Sequence, residues 1–457
     1  MKLFPHKPQR GARRAERASV LIIVLWVAIG LISITLYFAN SMTLELRASD
    51  NRTSGLAAEQ AIEGTARYVS WALYNYSTNG TWPTNADFIC NDIPIGDAKA
   101  WIIGRSRTAT ATTGPAFGLV DEAGKLNLNT ATTNALWYLP GMDYDLAYAI
   151  TDWRNTNGSV SLDYSMLGYD AKFAPFETVD ELRLIDGMTM KLLVGDDANR
   201  NGILDSDENA LVTGTTSNPG LLEYTTVYSR EPNANWDGST RTNVNSTEEL
   251  QGLLTEAFGS GKAQQVMTQI QSSGGGGGNG GNGATTTTFN SLLGFYLASG
   301  LSETEFDTIY DYITASTNDF TYGRVNVNTA SEAVLVALFI GANVDEQTAE
   351  SAARTLVSYR ELNPNNLGTI AWIVSALGSD SSVVQALASQ DLVTTRSYQY
   401  SADIAAVGPY GRGYRRVKFV FDTTDGTPKI IYRQDLSRLG WALGNNVRET
   451  LMAKNTQ

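Results

Sequence analysis

The stretch DANRNGILDSDE, near the middle of the chain, has the residue types and the spacing of a 12-residue EF-hand calcium loop. Side-chain oxygens fall at positions 1, 3, 5, 9 and 12, and Gly202 stands at position 6, where such a loop turns sharply. The predicted ligands are the side chains of Asp197, Asn199, Asn201, Asp205 and Glu208 and the carbonyl of Ile203. Three acids and two amides favour a structural calcium ion over a sensor site. The alternative is an ordinary turn rich in Asp, Asn and Gly.

The inventory of reactive side chains argues against an enzyme. His6 is the only histidine and Cys90 the only cysteine, so the body of the chain can form no His-dependent triad, Cys-based zinc site or internal disulfide. We therefore predict no catalytic residues. Beyond Arg17 the chain has 28 basic and 46 acidic residues, a balance of −18. Because this charge repels phosphate backbones, we expect no nucleic-acid partner.

One hydrophobic segment precedes the whole body of the chain. From Ser19 to Asn40 the sequence is uncharged and almost continuously apolar, which is long enough to cross a bilayer as one helix. Six Lys or Arg residues and one Glu come before it, and they predict a cytoplasmic N-terminus and an exported body. Because the apolar run exceeds the core of a signal peptide, we predict a retained anchor. An apolar stripe predicts that the helix continues to about Tyr76, and the alternative is a separate short helix.

Strand patterns lie near both ends of the exported body, with a helical region between them. They are KAWIIGRSR and FGLVDEAGKLNLN near the start, and SYQYSADIAAV, RRVKFVFD and KIIYRQD near the end. Val417, Phe419 and Phe421 alternate with Lys418 and Val420, as expected for a half-buried antiparallel strand. The predicted fold class is α+β, with a long N-terminal helix and an antiparallel sheet domain that a large helical insertion interrupts.

The predicted insertion contains internal repeats. GKLNLNTATTNALWYLPGM from residue 124 resembles GRVNVNTASEAVLVALFIG from residue 323, and RTNVNSTEELQGLL from residue 241 is a weaker copy. Each copy places an N-x-N motif before a predicted helix. In the copy from residue 323, Thr329 and Glu332 fit a capping box at the start of that helix.

These patterns divide the chain into five parts. The predicted parts are a basic leader (1–18), the N-terminal helix (19–76, transmembrane to about 40), the first part of the sheet domain (77–123), the helical insertion (124–390) and the second part of the sheet domain (391–457). The insertion carries the calcium loop at 197–208 and a Gly-rich stretch at 272–288, which we predict to be a flexible surface loop.

Taken together and in order, these motifs resemble the K subunits of type II secretion systems, which are minor pseudopilins. The basic leader followed by RASVLIIVLWVAIGL resembles the signal that prepilin peptidase cleaves. The segments VDEAGKLNLNTA, ITDWRNTNG, FETVDELRLIDGMT and RVNVNTAS resemble the helix-hairpin-helix or SAM-like insertion of that family. YSADIAAV and IIYRQD resemble the later part of its sheet domain.

The resemblance implies further expectations. Cleavage is expected between Ala18 and Ser19, although Gly is the commoner residue before the cut and Gly11 is a weaker alternative. Ile23 stands at mature position five, where most pilins carry Glu and the K subunit lacks it. The implied role is to cap the periplasmic pseudopilus, with the I, J and H minor pseudopilins, prepilin peptidase and the inner membrane as partners. Calcium binding is also known in this family.

A second function stays open at this point. The first repeat continues into LPGMDYDLAYAITDWR, a helix, a Gly turn and a second helix, as in the helix-hairpin-helix units of DNA-binding proteins. The alternative is therefore a DNA-uptake or adhesion pseudopilin that uses these units as its binding surface. Asp143 and Asp145 lie in the turn and oppose an anion there.

Overall fold

The structure is a computed structural model that describes residues 12–83, 87–105, 114–157, 164–205, 208, 219–235, 237–273 and 288–454. Three predicted features therefore lie wholly or partly outside the described residues: the leader (1–11, with Gly11), positions 206–207 of the calcium loop, and 274–287 of the Gly-rich stretch. For residues 12–19 only the backbone is described, so Ala18 and Ser19 are placed as helical backbone alone.

The described helices and strands follow one another in a mixed order. The helices are α1 (Ala12–Tyr76), α2 (Thr133–Trp137), α3 (Tyr144–Trp153), α4 (Met190–Val194), α5 (Leu221–Tyr224), α6 (Thr247–Phe258), α7 (Ser260–Ser273), α8 (Leu292–Ser299), α9 (Glu303–Tyr310), α10 (Glu332–Gly341), α11 (Glu346–Leu362), α12 (Trp372–Leu377), α13 (Ser382–Ser389) and α14 (Gly444–Lys454). The strands are β1 (Ile93–Ile95), β2 (Ala98–Ile103), β3 (Val120–Asp121), β4 (Leu126–Asn127), β5 (Thr225–Thr226), β6 (Arg230–Pro232), β7 (Thr242–Asn243), β8 (Ile313–Thr314), β9 (Phe320–Tyr322), β10 (Val325–Asn326), β11 (Val393–Thr394), β12 (Gln399–Gly408), β13 (Arg412–Asp422) and β14 (Lys429–Asp435).

Helix α1 is the longest element of the molecule. Its large apolar side chains from Val20 to Leu46 are exposed, whereas one face between Ala58 and Leu73 is buried. Among the described residues it is the one helix long and apolar enough to cross a membrane. The continuous helix that the apolar stripe predicted is confirmed, and the alternative of a separate short helix is wrong. Tyr76, at the end of the stripe, is nevertheless 37% exposed.

The body of α1 packs on an antiparallel sheet with the order β1-β2-β12-β13-β14, and β3 pairs with one end of β12. Val417, Phe419 and Phe421 point to the face of the sheet that α1 covers, where they are buried with Ile62 and Val69. At about 25 cal/mol per Å² of apolar surface, this layer stabilises the body of the helix and the sheet as one unit. The α+β fold class with an antiparallel sheet is confirmed.

Two glycines let the β12–β13 hairpin touch the backbone of α1. A Cβ added at Gly408 would lie 2.2 Å from the Ser54 carbonyl oxygen, and one at Gly413 would lie 2.3 Å from the Ser54 carbonyl carbon. Gly413 also has a φ of 71°, a region that favours glycine. The turn of the β12–β13 hairpin, between Gly408 and Gly413, therefore contacts the helix at Ser54.

The helical insertion leaves the sheet at the opposite end of α1. The N–H of Ser397 donates to the Gly80 carbonyl at 2.7 Å, and the Tyr400 hydroxyl bonds to Ser77. Strand β12 thus starts beside the C-terminal end of α1 and runs back toward Ser54. The insertion therefore joins the sheet, through β3 and the start of β12, at the end of α1 that is farthest from the exposed apolar half, and its first repeat also contacts the sheet at Arg416.

The insertion consists of three structural repeats. They span residues 124–229 (repeat 1), 241–317 (repeat 2) and 323–397 (repeat 3). In each repeat a two-residue opening strand pairs in parallel with a two-residue closing strand: β4 with β5, β7 with β8, and β10 with β11. Repeats 2 and 3 each have four helices between the two strands, whereas the described part of repeat 1 has α2, α3, α4 and two 3-10 segments there, besides α5. The calcium loop and α5 are an extra segment of repeat 1, between α4 and the closing strand β5.

The N-x-N motif has the same hydrogen bonds in all three repeats. The side chain of the first Asn accepts from the N–H of the second Asn at 2.9, 2.8 and 3.0 Å in repeats 1 to 3. The amide of the second Asn donates to a carbonyl of a segment 39 to 47 residues later. These second Asn residues are Asn129, Asn245 and Asn328, and their acceptors are Phe176, Phe289 and Leu367. The motif therefore ties the halves of each repeat together.

An arginine closes repeats 1 and 3 in the same way. Arg154 donates to the carbonyls of Leu128 and Ala131, and Arg360 donates to those of Val327 and Ala330. In repeat 3 these bonds measure 2.8 and 2.7 Å. The two guanidinium groups satisfy carbonyls at the junction between the opening strand and the first helix, which have no intrahelical donor.

Replacing Arg360 with methionine should lower the free energy of unfolding by about 1–3 kcal/mol, because two backbone carbonyls lose a charged donor. Arg354→Met is the matched control, since Arg354 is 63% exposed and pairs only across the surface with Glu332 and Glu350. The control should change stability by less than about 0.5 kcal/mol. Thermal unfolding of the full chain in micelles, followed by tryptophan fluorescence, measures both. Equal melting temperatures for the two variants would contradict this role of Arg360.

Candidate metal centre

The carboxylates at positions 1 and 12 of the predicted calcium loop hold its backbone in a closed turn. Asp197 accepts from the N–H groups of Asn201 at 3.1 Å and Gly202 at 2.7 Å. Glu208 accepts from the N–H groups of Asn199 at 2.9 Å and Asp205 at 3.0 Å, which brings the last position of the loop onto its start. The two carboxylates therefore draw the beginning and the end of the loop together.

The two asparagines complete the convergence. Their side-chain amides both donate to one oxygen of Asp205, Asn199 at 2.6 Å and Asn201 at 3.1 Å. Their side-chain oxygens accept from the N–H groups of Asn201 and Ile203, each at 3.0 Å. Turning each amide about its last bond would present oxygen instead of nitrogen to the same point. The donor chemistry therefore fits a hard, oxygen-seeking cation.

The geometry of the loop depends on its central glycine and on burial. Gly202 has a φ of 85°, and an added Cβ would lie 3.0 Å from the Arg105 side chain. Ile203 and Asn201 are buried, and burial raises the pKa of Asp197 to about 6, although its bonds to backbone N–H groups and the nearby Arg105 oppose that rise. A divalent cation is the kind of charge that compensates such a buried carboxylate.

The acids alone do not form the site. Within the described part of the chain, no group of three His, Cys, Asp or Glu side chains lies close enough to hold a metal. A metal at this loop would therefore require the two asparagines and the Ile203 carbonyl as well as Asp197, Asp205 and Glu208, as in the 12-residue template. This mixed donor set is consistent with a structural ion rather than a catalytic one.

Two charged pairs hold the loop between the insertion and the sheet. Arg105, which follows β2, makes a bidentate pair with Glu223 of α5, with both nitrogen–oxygen distances 2.7 Å. Burial alone would raise the pKa of Glu223, but the Arg105 guanidinium lowers it to about 2. Arg416 of β13 is fully buried and pairs with Asp403 of β12 at 2.8 and 2.5 Å.

Sequence reasoning did not predict these four residues. Arg105 and Glu223 are 118 positions apart, and no motif joins them. The available signal was the polar face of β13, where Arg416 and Lys418 alternate with apolar residues. That face was expected to meet water, but the calcium loop covers it at Arg416, which is fully buried.

Asp121 of β3 joins the sheet to repeat 3. Its carboxylate accepts from the N–H of Ala123 at 2.8 Å and from the side chains of Asn326, Thr329 and Ser397 at 2.9, 2.5 and 2.6 Å. Burial nevertheless raises the pKa of Asp121 to about 6, because the four hydrogen bonds only partly offset the lost solvation.

This raised pKa predicts a pH dependence of stability. The folded state binds the proton of Asp121 more tightly than the unfolded chain, whose pKa is about 3.9. The free energy of unfolding should therefore fall by about 2 kcal/mol as the pH rises from 4 to 6, out of about 3 kcal/mol over the whole titration. Asp121→Asn should remove that part of the slope, which melting curves of both proteins across this pH range would measure. The same slope in wild type and variant would contradict the assignment.

The hairpins that the sequence predicted to be helix-hairpin-helix units offer little to a phosphate. The Asp143 side chain caps α3 by accepting from the Leu146 N–H at 2.8 Å, and Asp345 caps α11 by accepting from the Thr348 N–H at 3.0 Å. In both hairpins a carboxylate therefore occupies the amide position at which a DNA phosphate would bind. The geometry gives the DNA-uptake alternative no support.

The residues predicted from the leader and anchor lie apart from this site. Ile23 is 60% exposed on the apolar half of α1, and Ala18 and Ser19 belong to the first turns of the same helix. Within the described residues these positions form no cluster with the calcium loop, which belongs to repeat 1 and contacts the sheet at Arg105 and Arg416.

No protein-family model matches the chain, and no curated protein matches it. Among solved structures, the chain is similar to a chain of the crystal structure of the GspK-GspI-GspJ complex from the type 2 secretion system of enterotoxigenic Escherichia coli. The two chains share 10% sequence identity and superpose with a TM-score of 0.42, over 86% of this chain and 99% of the other. At this level of identity, no residue of the present chain takes a role from that structure.

Proposed function

We propose that this chain is a minor pseudopilin of a type II secretion system, a K-type subunit that caps the tip of the pseudopilus. In that position it helps to initiate assembly of the filament for protein export across the outer membrane. The observation that carries the proposal is α1, one helix that is apolar and exposed in its first half and packed on an antiparallel sheet in its second half.

The exposed half of α1 requires an apolar environment. A run of large apolar side chains from Val20 to Leu46 is exposed, with no cover from the described residues. At about 1.5 Å per residue this run matches the thickness of a bilayer. A packed bundle of similar helices in a filament would cover the same surface. The helix can therefore rest in lipid before assembly and among filament helices afterwards.

The position of the insertion supports a place at the tip. The insertion joins the sheet at the end of α1 that is farthest from the apolar half, where Ser397 bonds to Gly80. A further subunit added beyond this one would clash with the helical insertion. Ile23 fits the same position, because a tip subunit has no subunit ahead of it to pair with a Glu at mature position five.

The surroundings of the protein follow from this role. The basic leader places the N-terminus in the cytoplasm and the body in the periplasm, with one pass through the inner membrane. The I, J and H minor pseudopilins and prepilin peptidase are the proposed partners. The role is structural rather than enzymatic.

The metal centre has a structural part in this proposal. Asp197, Asn199, Asn201, Asp205, Glu208 and the carbonyl of Ile203 would hold one calcium ion. When bound, the ion supplies positive charge to a loop that contains three carboxylates. The loop lies between repeat 1 and the sheet, so ion binding stabilises the place where the insertion meets the pseudopilin body.

Processing by prepilin peptidase tests the proposed class. Co-expression of the full chain with active peptidase should yield a mature protein that begins at Ser19, read by N-terminal sequencing. An inactive peptidase is the control and should leave the leader in place. A leader that is retained in both cases would overturn the assignment. DNA binding at physiological salt, measured on the same sample, should be undetectable, and a measurable affinity would favour the uptake alternative.

A further inference from the structure

Two arginines of the sheet domain donate to consecutive backbone carbonyls of the calcium loop. Arg416 donates to the carbonyls of Asn199 and Arg200, the second at 2.7 Å. Arg105 donates to the same Arg200 carbonyl at 3.2 Å. Both arginines come from strands or strand ends of the sheet, whereas the loop belongs to repeat 1. These bonds are therefore a direct link between the sheet and the metal centre.

Each guanidinium group is held in place from its other side. Asp403 fixes Arg416, which is completely buried, and Glu223 fixes Arg105 through two bonds of 2.7 Å. A planar guanidinium with a carboxylate on one edge points its remaining N–H groups in a defined direction. Here that direction is toward the loop carbonyls. The pairs also cancel most of the positive charge that would otherwise oppose a bound cation.

The bonded carbonyls share peptide planes with groups that orient the predicted ligands. The Arg200 carbonyl lies in the same planar peptide as the Asn201 N–H, which donates to Asp197 at 3.1 Å and to Asn199 at 3.0 Å. The Asn199 carbonyl shares its peptide with the Arg200 N–H, which donates to the Asp197 carbonyl at 3.1 Å. Fixing the two carbonyls therefore fixes the N–H groups that hold positions 1 and 3 of the loop.

The loop needs this support because its backbone is unusual at this point. Arg200 has a φ of 57° and Gly202 a φ of 85°, so two of three successive residues lie in the left-handed region. Such a conformation costs free energy for a residue with a side chain and persists where surrounding contacts enforce it. Arg416 and Arg105 supply those contacts from the sheet.

We propose that Arg416 and Arg105 are positioning residues that couple calcium binding to the docking of the helical insertion on the sheet. The proposal rests on the calcium site proposed above and adds that docking of the insertion controls the calcium affinity of that site. The docked sheet holds the loop in its binding shape, so calcium binds more tightly to the docked state. By linkage, bound calcium stabilises docking to the same degree.

Charge-conserving substitutions test the coupling. Arg416→Lys and Arg105→Lys keep the positive charge and the carboxylate pair, but a lysine cannot reach a carboxylate and the loop carbonyls in the same planar arrangement. The two variants should each weaken calcium binding about tenfold, measured by calorimetric titration of the full chain in detergent micelles. Arg105 is partly exposed, so its variant remains informative if Arg416→Lys does not fold.

The control is a third arginine, Arg324, whose side chain is 8% exposed, between 0% for Arg416 and 28% for Arg105. Arg324 of repeat 3 pairs with Glu231 and Asp391, neither of which belongs to the loop. Arg324→Lys should lower the melting temperature without changing calcium affinity. It should also keep the full calcium-induced rise in melting temperature, whereas the two test variants should lose most of that rise.

The outcomes separate this proposal from the calcium site itself. Calcium binding by wild type with equal or tighter binding by both test variants would overturn the coupling and leave the site intact. Weaker binding by Arg324→Lys to the same extent would also overturn it, because the effect would then reflect stability alone. No calcium binding by wild type would overturn the site and the coupling together.

Discussion

Glu208→Ala should weaken calcium binding by about 100-fold or more. Glu208 ends the loop, and its two carboxylate oxygens accept from Asn199 at 2.9 Å and Asp205 at 3.0 Å, so one side chain both closes the loop and offers two ligand atoms. Removing a group that only orients a metal ligand commonly lowers metal affinity 10–100-fold, and losing a bidentate ligand should lower it further. Calorimetric titration of the full chain in micelles measures the change.

Glu248→Ala is the matched control for this substitution. Glu248 is exposed in the first turn of α6, outside the calcium loop. Its substitution removes the same charge from the same insertion. Its calcium affinity should equal that of wild type. If Glu208→Ala bound calcium as tightly as the control, another part of the chain would hold the ion, and the 12-residue template would be the wrong basis for the site.

Gly413→Val should destabilise the body by about 2–5 kcal/mol. The new Cβ would lie 2.3 Å from the Ser54 carbonyl carbon, and the φ of 71° is unfavourable for a branched residue. To relieve the clash, the turn of the β12–β13 hairpin must move away from α1. This movement weakens the packing of the sheet on the helix. Thermal unfolding of the full chain, followed by near-UV circular dichroism, should show an earlier transition.

The control isolates the clash from the backbone strain. Gly96 has a φ of 60° and no atom within 4 Å of an added Cβ, so Gly96→Val adds strain without contact. It should cost about 1–2 kcal/mol. If both variants lost the same stability, the contact between the hairpin and Ser54 would contribute nothing to holding sheet and helix together.

The parts of the fold that local pattern determines were predictable. The uncharged run after Ser19 and the stripe at helical spacing gave a single helix, because both signals come from neighbouring residues. The long strands β12, β13 and β14 were predictable for the same reason. The closed turn from Asp197 to Glu208 was predictable because its polar residues lie within twelve positions, so their spacing alone specifies the shape of the loop, and the calcium ion itself stays a prediction.

Features that depend on distant contacts were predicted poorly. Thr329 fits a capping box with Glu332, but the structure begins α10 after Ser331, whose side chain accepts from the Val334 N–H. Thr329 instead donates to Asp121, 208 residues away. The sequence pattern is compatible with either cap, and only the packing of repeat 3 against β3 decides between them.

The repeats show how weak a signal a shared architecture can leave. The copy from residue 241 was the weakest in sequence, yet it has the same parallel strand pair and the same Asn hydrogen bonds as the other two. The backbone pairing and the N-x-N motif require only a few side chains, so the remaining positions can differ. Two asparagines of repeat 2, Asn243 and Asn245, carried most of the recognisable signal.

The copy number of this chain per filament and its position along the filament test the proposed role most directly. Pseudopili assembled with an epitope-labelled copy can be examined by quantitative mass spectrometry and by gold labelling in the electron microscope. The tip-capping role predicts a single copy per filament, at one end and independent of filament length. Label distributed along the shaft in proportion to length would contradict it.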